Sequence, residues 1–228
     1  MSVWADETHA WWPYWRKTSR AHGLEFIQAD DTLWSDYKRR HPKEGHPWHL
    51  KVVPIGKYIQ AHDDADYFLF SDCNDVIYSA GADELIEKFN AIGSPIVYSS
   101  ERYCWPPVIK PEEYPAHSIG RFSRFLNSGF WMATREGALK LAVELQKPFP
   151  DRVICDQGSA VLLYLSGRLP IALDHENTLC YCNADKAQGL EFDDPRQRFK
   201  RAGTEIYPCC FHGNGAGNMR PFIEKLKL

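Results

Sequence analysis

Between Tyr67 and Tyr78 the chain runs YFLFSDCNDVIY. Its opening residues, Tyr67 to Phe70, form the short apolar run of a strand buried on both faces, as in the middle of a parallel sheet. The run stops at Ser71, and two carboxylates follow, Asp72 and Asp75. In open α/β sheets ligands sit in the crevice beyond the carboxyl ends of the strands. Two carboxylates on one tight turn can point into one cavity and share a hard divalent cation. Asp is also favoured in such turns simply to cap and start a helix. The remainder of the chain has to choose between the two.

The flanking segments repeat the pattern of strand, polar end and helix. Downstream, Ala82 to Ala91 spaces Leu85, Ile86 and Phe89 along one helical face, and Gly93-Ser94-Pro95 breaks it. Pro95 to Tyr98 reads as another buried strand that delivers Ser99, Ser100 and Glu101 to its end. Upstream, Leu50 to His62 reads as a helix, Leu24 to Ile27 as a strand, and His9 to His22 as a helix with Pro13 near its start. Ser2 to Ala5 fits the tail of a short first strand. Arg102 to Phe122 is a long, Pro-rich aromatic loop, of a length that tends to be functional. Phe125 to Met132 is strand-like but interrupted by Asn127-Ser128-Gly129. Helices over Arg135 to Gln146 and Gln157 to Leu165 follow, then short strands at Ile171 to Leu173 and Leu179 to Cys182. A polar connection from Asn183 to Gly203 leads to a last strand, Glu205 to Phe211. This alternation implies an α/β fold with a mostly parallel central sheet flanked by helices, and one domain over residues 1–228.

Composition excludes several classes. A net charge of −3 gives no basic face for nucleic acid. No stretch approaches the roughly 20 apolar residues of a membrane span. The N-terminus lacks the pattern of a signal peptide, so a cytoplasmic location is expected. Seven cysteines without CxxC spacing argue against a zinc cluster and for free thiols in a reducing compartment.

A second informative stretch is FHGNGAGN, Phe211 to Asn218. Gly213 and Gly215 let the backbone approach a bulky anion, and N–H groups there can bind phosphate oxygens. The segment has neither the Gly-Lys-Ser/Thr of a P-loop nor the G-x-G-x-x-G dinucleotide pattern. His212 can join a metal held by the two aspartates, or serve as a hydrogen-bonded structural residue. Asp156 can cap the helix from Gln157, or offer a carboxylate to an acceptor hydroxyl. Lys51 can meet a phosphate or remain a solvated surface charge. Trp34 and Trp105 flank polar or Pro-rich loops, where an indole either stacks on a sugar or packs half-buried.

The order of the motifs says more than any one of them. SDCNDVIYSAGADELIEKF, YSSERYCWP, RFLNSGFWMA, DQG, LDHENTLCYCN and HGNG succeed one another along the chain. This set resembles the glycosyltransferase domain at the N-terminal end of procollagen lysyl hydroxylases, and related procollagen glucosyl- and galactosyltransferase-like proteins. The resemblance implies a GT-A fold, a UDP-sugar donor and Mn²⁺, or Mg²⁺ in its place. It maps metal binding onto Asp72, Asp75 and His212, and the donor diphosphate onto Gly213, Asn214 and Gly215. Glu101 and Trp105 would shape the sugar pocket, with Asn127 beside the sugar. Asp156 matches the last carboxylate of an acidic run near the acceptor, a run reduced here to Val153-Ile154-Cys155 before it. The implied activity is transfer of a hexose, glucose or galactose, to a hydroxyl on a protein, peptide or glycan. The alternative is a non-catalytic sugar- or nucleotide-binding module with a degenerate acceptor site. A phosphohydrolase would want D-x-D, a spacing that Asp72 and Asp75 do not have.

Overall fold

The computed structural model describes residues 9–26, 39, 51–62, 64–118, 121–145, 147, 155–184, 189–215 and 217–228. The strand expected at Ser2 to Ala5 and the residue Trp34 lie outside them.

Helix α1 (Trp12–Ala21) carries a proline in its first turn, where a missing N–H is harmless. Helix α2 (Val52–Ala61) leads into strand β1 (Tyr67–Ser71), and β2 (Val76–Tyr78) follows the acidic turn. Helix α3 (Ala82–Ile92) ends on Gly93 at φ 74, a left-handed conformation that suits glycine. Then come β3 (Ile96–Glu101), two short 3₁₀ turns in the long loop, β4 (Phe125–Thr134), α4 (Arg135–Leu145) and α5 (Asp156–Ser166). Strands β5 (Ile171–Asp174), β6 (Cys180–Cys182), β7 (Leu190–Asp193), β8 (Arg198–Arg201) and β9 (Cys210–His212) precede helix α6 (Arg220–Lys225).

The main sheet has the order β1-β4-β3-β6-β9-β2, with β5 also paired to β3. Strands β3, β5, β6 and β9 run parallel, and β1 points the same way because both β1 and β3 oppose β4. Strands β2 and β4 run the other way. The expected α/β class with a largely parallel, helix-flanked sheet is therefore the observed one. Its consequence is geometric: five carboxyl ends share one edge of the sheet with the amino ends of β2 and β4.

Alternation along each strand assigns the two faces. Phe68, Phe70, Ile96, Tyr98 and Trp131 pack with Ile55 and Ile59 of α2, Leu141 of α4 and Val161 of α5. Val97, Phe130 and Met132 turn to the opposite face, against Trp15 of α1 and Leu85 and Phe89 of α3. The edge strand β2 is covered by α1, where Thr18 Oγ1 accepts from the Tyr78 N–H at 3.0 Å. That contact removes an open edge donor.

Some elements differ from the sequence reading. Leu24 to Phe26 form no strand; Phe26 packs its ring against Trp15 and Tyr78 instead. The polar connection after Asn183 contains the hairpin β7–β8, whose charged residues hide an apolar pair, Phe192 opposite Phe199. The last strand is shorter than expected and begins at Cys210, because Ile206 pairs back to the hairpin through Arg201 N at 2.9 Å. The seven cysteines are all free, and Cys209 and Cys210 are buried. No helix of the described residues is long and apolar enough to cross a membrane.

Strand β4 runs through Asn127-Ser128-Gly129 without a break, but its register to β3 jumps. Tyr98 faces Trp131, whereas the next residue, Ser99, faces Asn127. Ser128, Gly129 and Phe130 thus arch away from β3. The arch stays tied to β1, with Phe130 opposite Ser71 and the Asp72 N–H donating to Gly129 O at 2.8 Å. Such local irregularities re-aim side chains near functional sites.

Candidate functional site

The carboxyl edge of the sheet opens into a cleft of about 570 Å³. Asp72 enters it just after β1, Glu101 at the end of β3 and His212 at the end of β9. The reversed strands contribute from their starts: Asp75 precedes β2, and Asn127 to Gly129 lie near the beginning of β4. Lys51, Trp105, Asp156, Asn214 and Gly215 complete the set of sequence-predicted residues that line the cleft. Gly213 stands apart from the lining. Its N–H donates to Asp75 O at 2.7 Å, and a side chain there would run into Met219 and Gly217.

Asp72, Asp75 and His212 each present a donor atom within 4.8 Å of the others. His212 Nε2 lies 3.5 Å from Asp75 Oδ1 and 3.8 Å from Asp72 Oδ2. Burial opposes a charged imidazole at His212, but the Asp75 carboxylate outweighs it and raises the pKa well above the ordinary value. For Asp75, burial favours the neutral acid, and His212 more than reverses that, so its pKa is lowered. For Asp72, burial prevails over Lys51 and His212, and the pKa is raised. Two hard carboxylate oxygens and one imidazole nitrogen are a donor set suited to Mn²⁺ or a similar divalent ion.

Lys51 is no surface charge. Its buried ammonium sits 2.9 Å from Asp72 Oδ1 and 3.4 Å from Asp156 Oδ2. Asp156 is also not the helix cap that its place before Gln157 allows. Cys155 takes that position, its sulfur accepting from the Gly158 N–H, and Asp156 is the first helical residue. The Asp156 carboxylate is freed to face the cleft, where Ser128 Oγ donates to Oδ2 at 3.0 Å.

A second cluster surrounds Glu101. Its Oε1 accepts from Asn127 Nδ2 at 3.0 Å and Gln157 Nε2 at 2.9 Å, and its Oε2 from Asn214 Nδ2 at 2.8 Å. Burial raises the Glu101 pKa despite these three amides. Asn214 Oδ1 is buried with no partner among the described residues. Trp105 is 53% exposed at the rim, and Tyr103 beside it is 57% exposed. Ser128, Gly129 and Gln157 were not foreseen as site residues. Their signals were in plain view: the Asn-Ser-Gly interruption of an apolar strand, and a polar residue directly after Asp156.

A family model described as the PLOD GT domain matches residues 48–226. The chain belongs to the PLOD GT-domain family. The resemblance read from the ordered motifs thus holds, and the family is one of glycosyltransferases. Within it, the chain is similar to the procollagen-lysine,2-oxoglutarate 5-dioxygenase of Drosophila melanogaster, 33% identical over 191 residues, or 80% of this chain and 25% of that protein. It is 31% identical over 174 residues to the multifunctional procollagen lysine hydroxylase and glycosyltransferase LH3 of Homo sapiens, covering 72% of this chain and 23% of that one. The chain therefore spans about a quarter of the length of these curated relatives. Among solved structures it resembles a glycosyltransferase involved in the glycosylation of the major capsid of PBCV-1. That likeness has a TM-score of 0.55 at 16% identity and covers 99% and 96% of the two chains, which bears on the fold alone.

Proposed function

We propose that the chain is a metal-dependent glycosyltransferase that moves a hexose, glucose or galactose, from a UDP-sugar to a hydroxyl on a protein, peptide or glycan. One observation carries this reading. In a member of a glycosyltransferase family, two carboxylates and an imidazole converge to within 4.8 Å inside the cleft at the carboxyl edge of the sheet. Asp72, Asp75 and His212 would hold Mn²⁺ or Mg²⁺. A divalent ion so bound supplies Lewis acidity to the charge that develops on a departing UDP.

The chain's own residues take the remaining tasks. Lys51, paired with Asp72 and Asp156, would bring a buried positive charge to the side of the ligands where the diphosphate sits. Asn214 and Gly215, in the turn after β9, would face the same anion, while Gly213, its N–H committed to Asp75 O, shapes that turn. The buried Asn214 Oδ1 has no partner among the described residues and would take a hydroxyl or N–H donor. Glu101, held by Asn127 beside the sugar's expected place, would contact the sugar, and the exposed Trp105 offers it a stacking face. Asp156, held by Ser128 and Lys51, would orient the acceptor hydroxyl.

Calorimetric titration of UDP in Mn²⁺ and then in EDTA tests the reading, with Asp72→Ala and His212→Ala alongside. The expected result is binding that needs the metal and is lost in both variants. Binding indifferent to EDTA would sink the assignment of the ligands. Metal-dependent binding without turnover of UDP-glucose or UDP-galactose would turn the reading toward a binding module.

A further inference from the structure

The arch in β4 places Asn127 between the two clusters of the cleft, and its amide orientation can be deduced. The Gly129 N–H is a backbone donor and lies 3.0 Å from Asn127 Oδ1. The Asn127 Nδ2 lies 3.0 Å from the Glu101 carboxylate, which only accepts when ionised. Both contacts therefore demand the same amide orientation. With Oδ1 fixed as an acceptor, the His212 Nδ1 at 3.1 Å must carry its proton toward it. The other ring nitrogen, Nε2, is then the one turned to Asp72 and Asp75. The remaining neighbour of Nδ1, the Cys182 sulfur at 4.0 Å, is a far weaker partner.

Gly129 completes the arrangement from the side. A Cβ built there would stand 2.1 Å from His212 Cε1, so the ring rests against a bare backbone. Rings that ligate metals need their second nitrogen tied by a hydrogen bond, which fixes both tautomer and orientation.

We propose that Asn127 is a positioning residue for His212: it holds the Nδ1 proton and turns Nε2 toward the two carboxylates as the ligating nitrogen, with Gly129 providing the space for the ring. For its consequence on metal affinity the inference rests on the metal reading above. It moves Asn127 from a place beside the sugar to the support of the ligand set, and it links that set to Glu101, whose carboxylate orients the same amide.

The test has two readouts. The first is the imidazole N–H spectrum of ¹⁵N-labelled, metal-free protein, with the His212 signal assigned by its loss in His212→Ala. Wild-type protein is expected to show an Nδ1–H of His212 protected from solvent exchange, and Asn127→Val to lose that protection. The second is Mn²⁺ affinity with UDP present, followed by the electron paramagnetic resonance of free Mn²⁺. Asn127→Val should weaken it by about 10-fold or more, the usual cost of removing such an outer partner. The exchanged pair Asn127→Asp with Glu101→Gln restores an acceptor toward His212 and a donor toward residue 127, and should recover part of the loss, because the new NH₂ at residue 101 also faces the Gln157 Nε2 donor. Gly129→Ala should remove the protected signal by displacing the ring. Wild-type affinity in Asn127→Val, or a wild-type spectrum without a protected Nδ1–H at His212, overturns the inference. If wild-type protein takes up no Mn²⁺ at all, the metal reading fails, and the N–H signal still decides the hydrogen bond. Should Asn127→Val not fold, the exchanged pair and the wild-type spectrum carry the decision.

Discussion

Two lysines in this molecule sit between two carboxylates at almost the same distances. Lys51 lies 2.9 Å from Asp72 and 3.4 Å from Asp156; Lys200 lies 2.7 Å from Glu205 and 3.2 Å from Glu191. What separates them is solvent. The side chains of Lys51, Asp72 and Asp156 are 7%, 25% and 13% exposed, whereas Glu205 and Glu191 on the β7–β8 side are 68% and 46% exposed. At one separation, the attraction between unit charges is about fourfold larger at an effective dielectric of 20 than in bulk water. Both ammoniums have raised pKa values. Lys51 owes this to Asp156 and Asp72 overcoming burial, and Lys200 chiefly to its hydrogen bond with Glu205. Equal geometry therefore does not mean equal energy. The cleft spends its burial on holding charges in place, and the hairpin spends its charges on staying wet.

Removing the buried ammonium should have the largest effect. Lys51→Met leaves Asp72 and Asp156 facing each other without their cation. Losing one partner of a buried pair costs about 3 kcal/mol or more, and partial exposure of Asp72 favours the low end of that range. Urea unfolding without added divalent ions should show the loss, and raising the salt to 1 M should change it little, because buried charges are poorly screened. A change in stability no larger than a surface substitution gives would show that the burial of Lys51 does not matter.

Asp174 sharpens the comparison, being a buried carboxylate with no lysine or arginine paired to it among the described residues. Burial raises its pKa, yet its oxygens accept from Thr178 N and Oγ1 at 2.9 Å each, Leu179 N at 2.7 Å and Cys180 N at 3.2 Å. Together with the Ser100 Oγ contact to its carbonyl, it ties β3, β5 and β6 behind the cleft. Asp174→Asn turns an NH₂ toward donors on at least one side, leaving a buried N–H unsatisfied at about 1–3 kcal/mol. The urea midpoint should fall by less than in Lys51→Met. Wild-type stability would mean that the loop rearranges to satisfy an amide.

What the sequence disclosed follows the same division between local and distant causes. The turn after β1 and the histidine at the end of β9 were legible because strand ends announce themselves locally, through an apolar run that stops at a polar residue. Among the described residues, all the expected site residues except Gly213 line the cleft, and the ordered motifs carried the family. The burial of Lys51 was not legible, since nothing near residue 51 says that two carboxylates from residues 72 and 156 will enclose it. Asp156 misleads for a related reason. Its neighbour Cys155 takes the cap, a role more usual for Asp, Ser or Thr. The β4 arch depends on a register between strands far apart in the chain, so Asn-Ser-Gly could only be read as an interruption. The β7–β8 hairpin was hidden by charge, its two phenylalanines being too few to mark a strand against so polar a background.

The smallest effect is expected where the geometry is best. Lys200→Ala removes both of the hairpin contacts at 2.7 and 3.2 Å, and no measurable change in the urea midpoint should follow. Exposed ion pairs pay side-chain entropy for each contact and are screened by salt. The hairpin is held by other means: Phe199 is buried against Phe211 and Phe222, with ring centroids 5.7 and 5.0 Å away, and Phe192 packs on it at 5.0 Å. A clear destabilisation by Lys200→Ala that vanishes in 1 M salt would mean that the surface network acts cooperatively. In that case exposure alone would not separate the two lysines, and the difference would have to be sought in how many neighbouring charges each one organises.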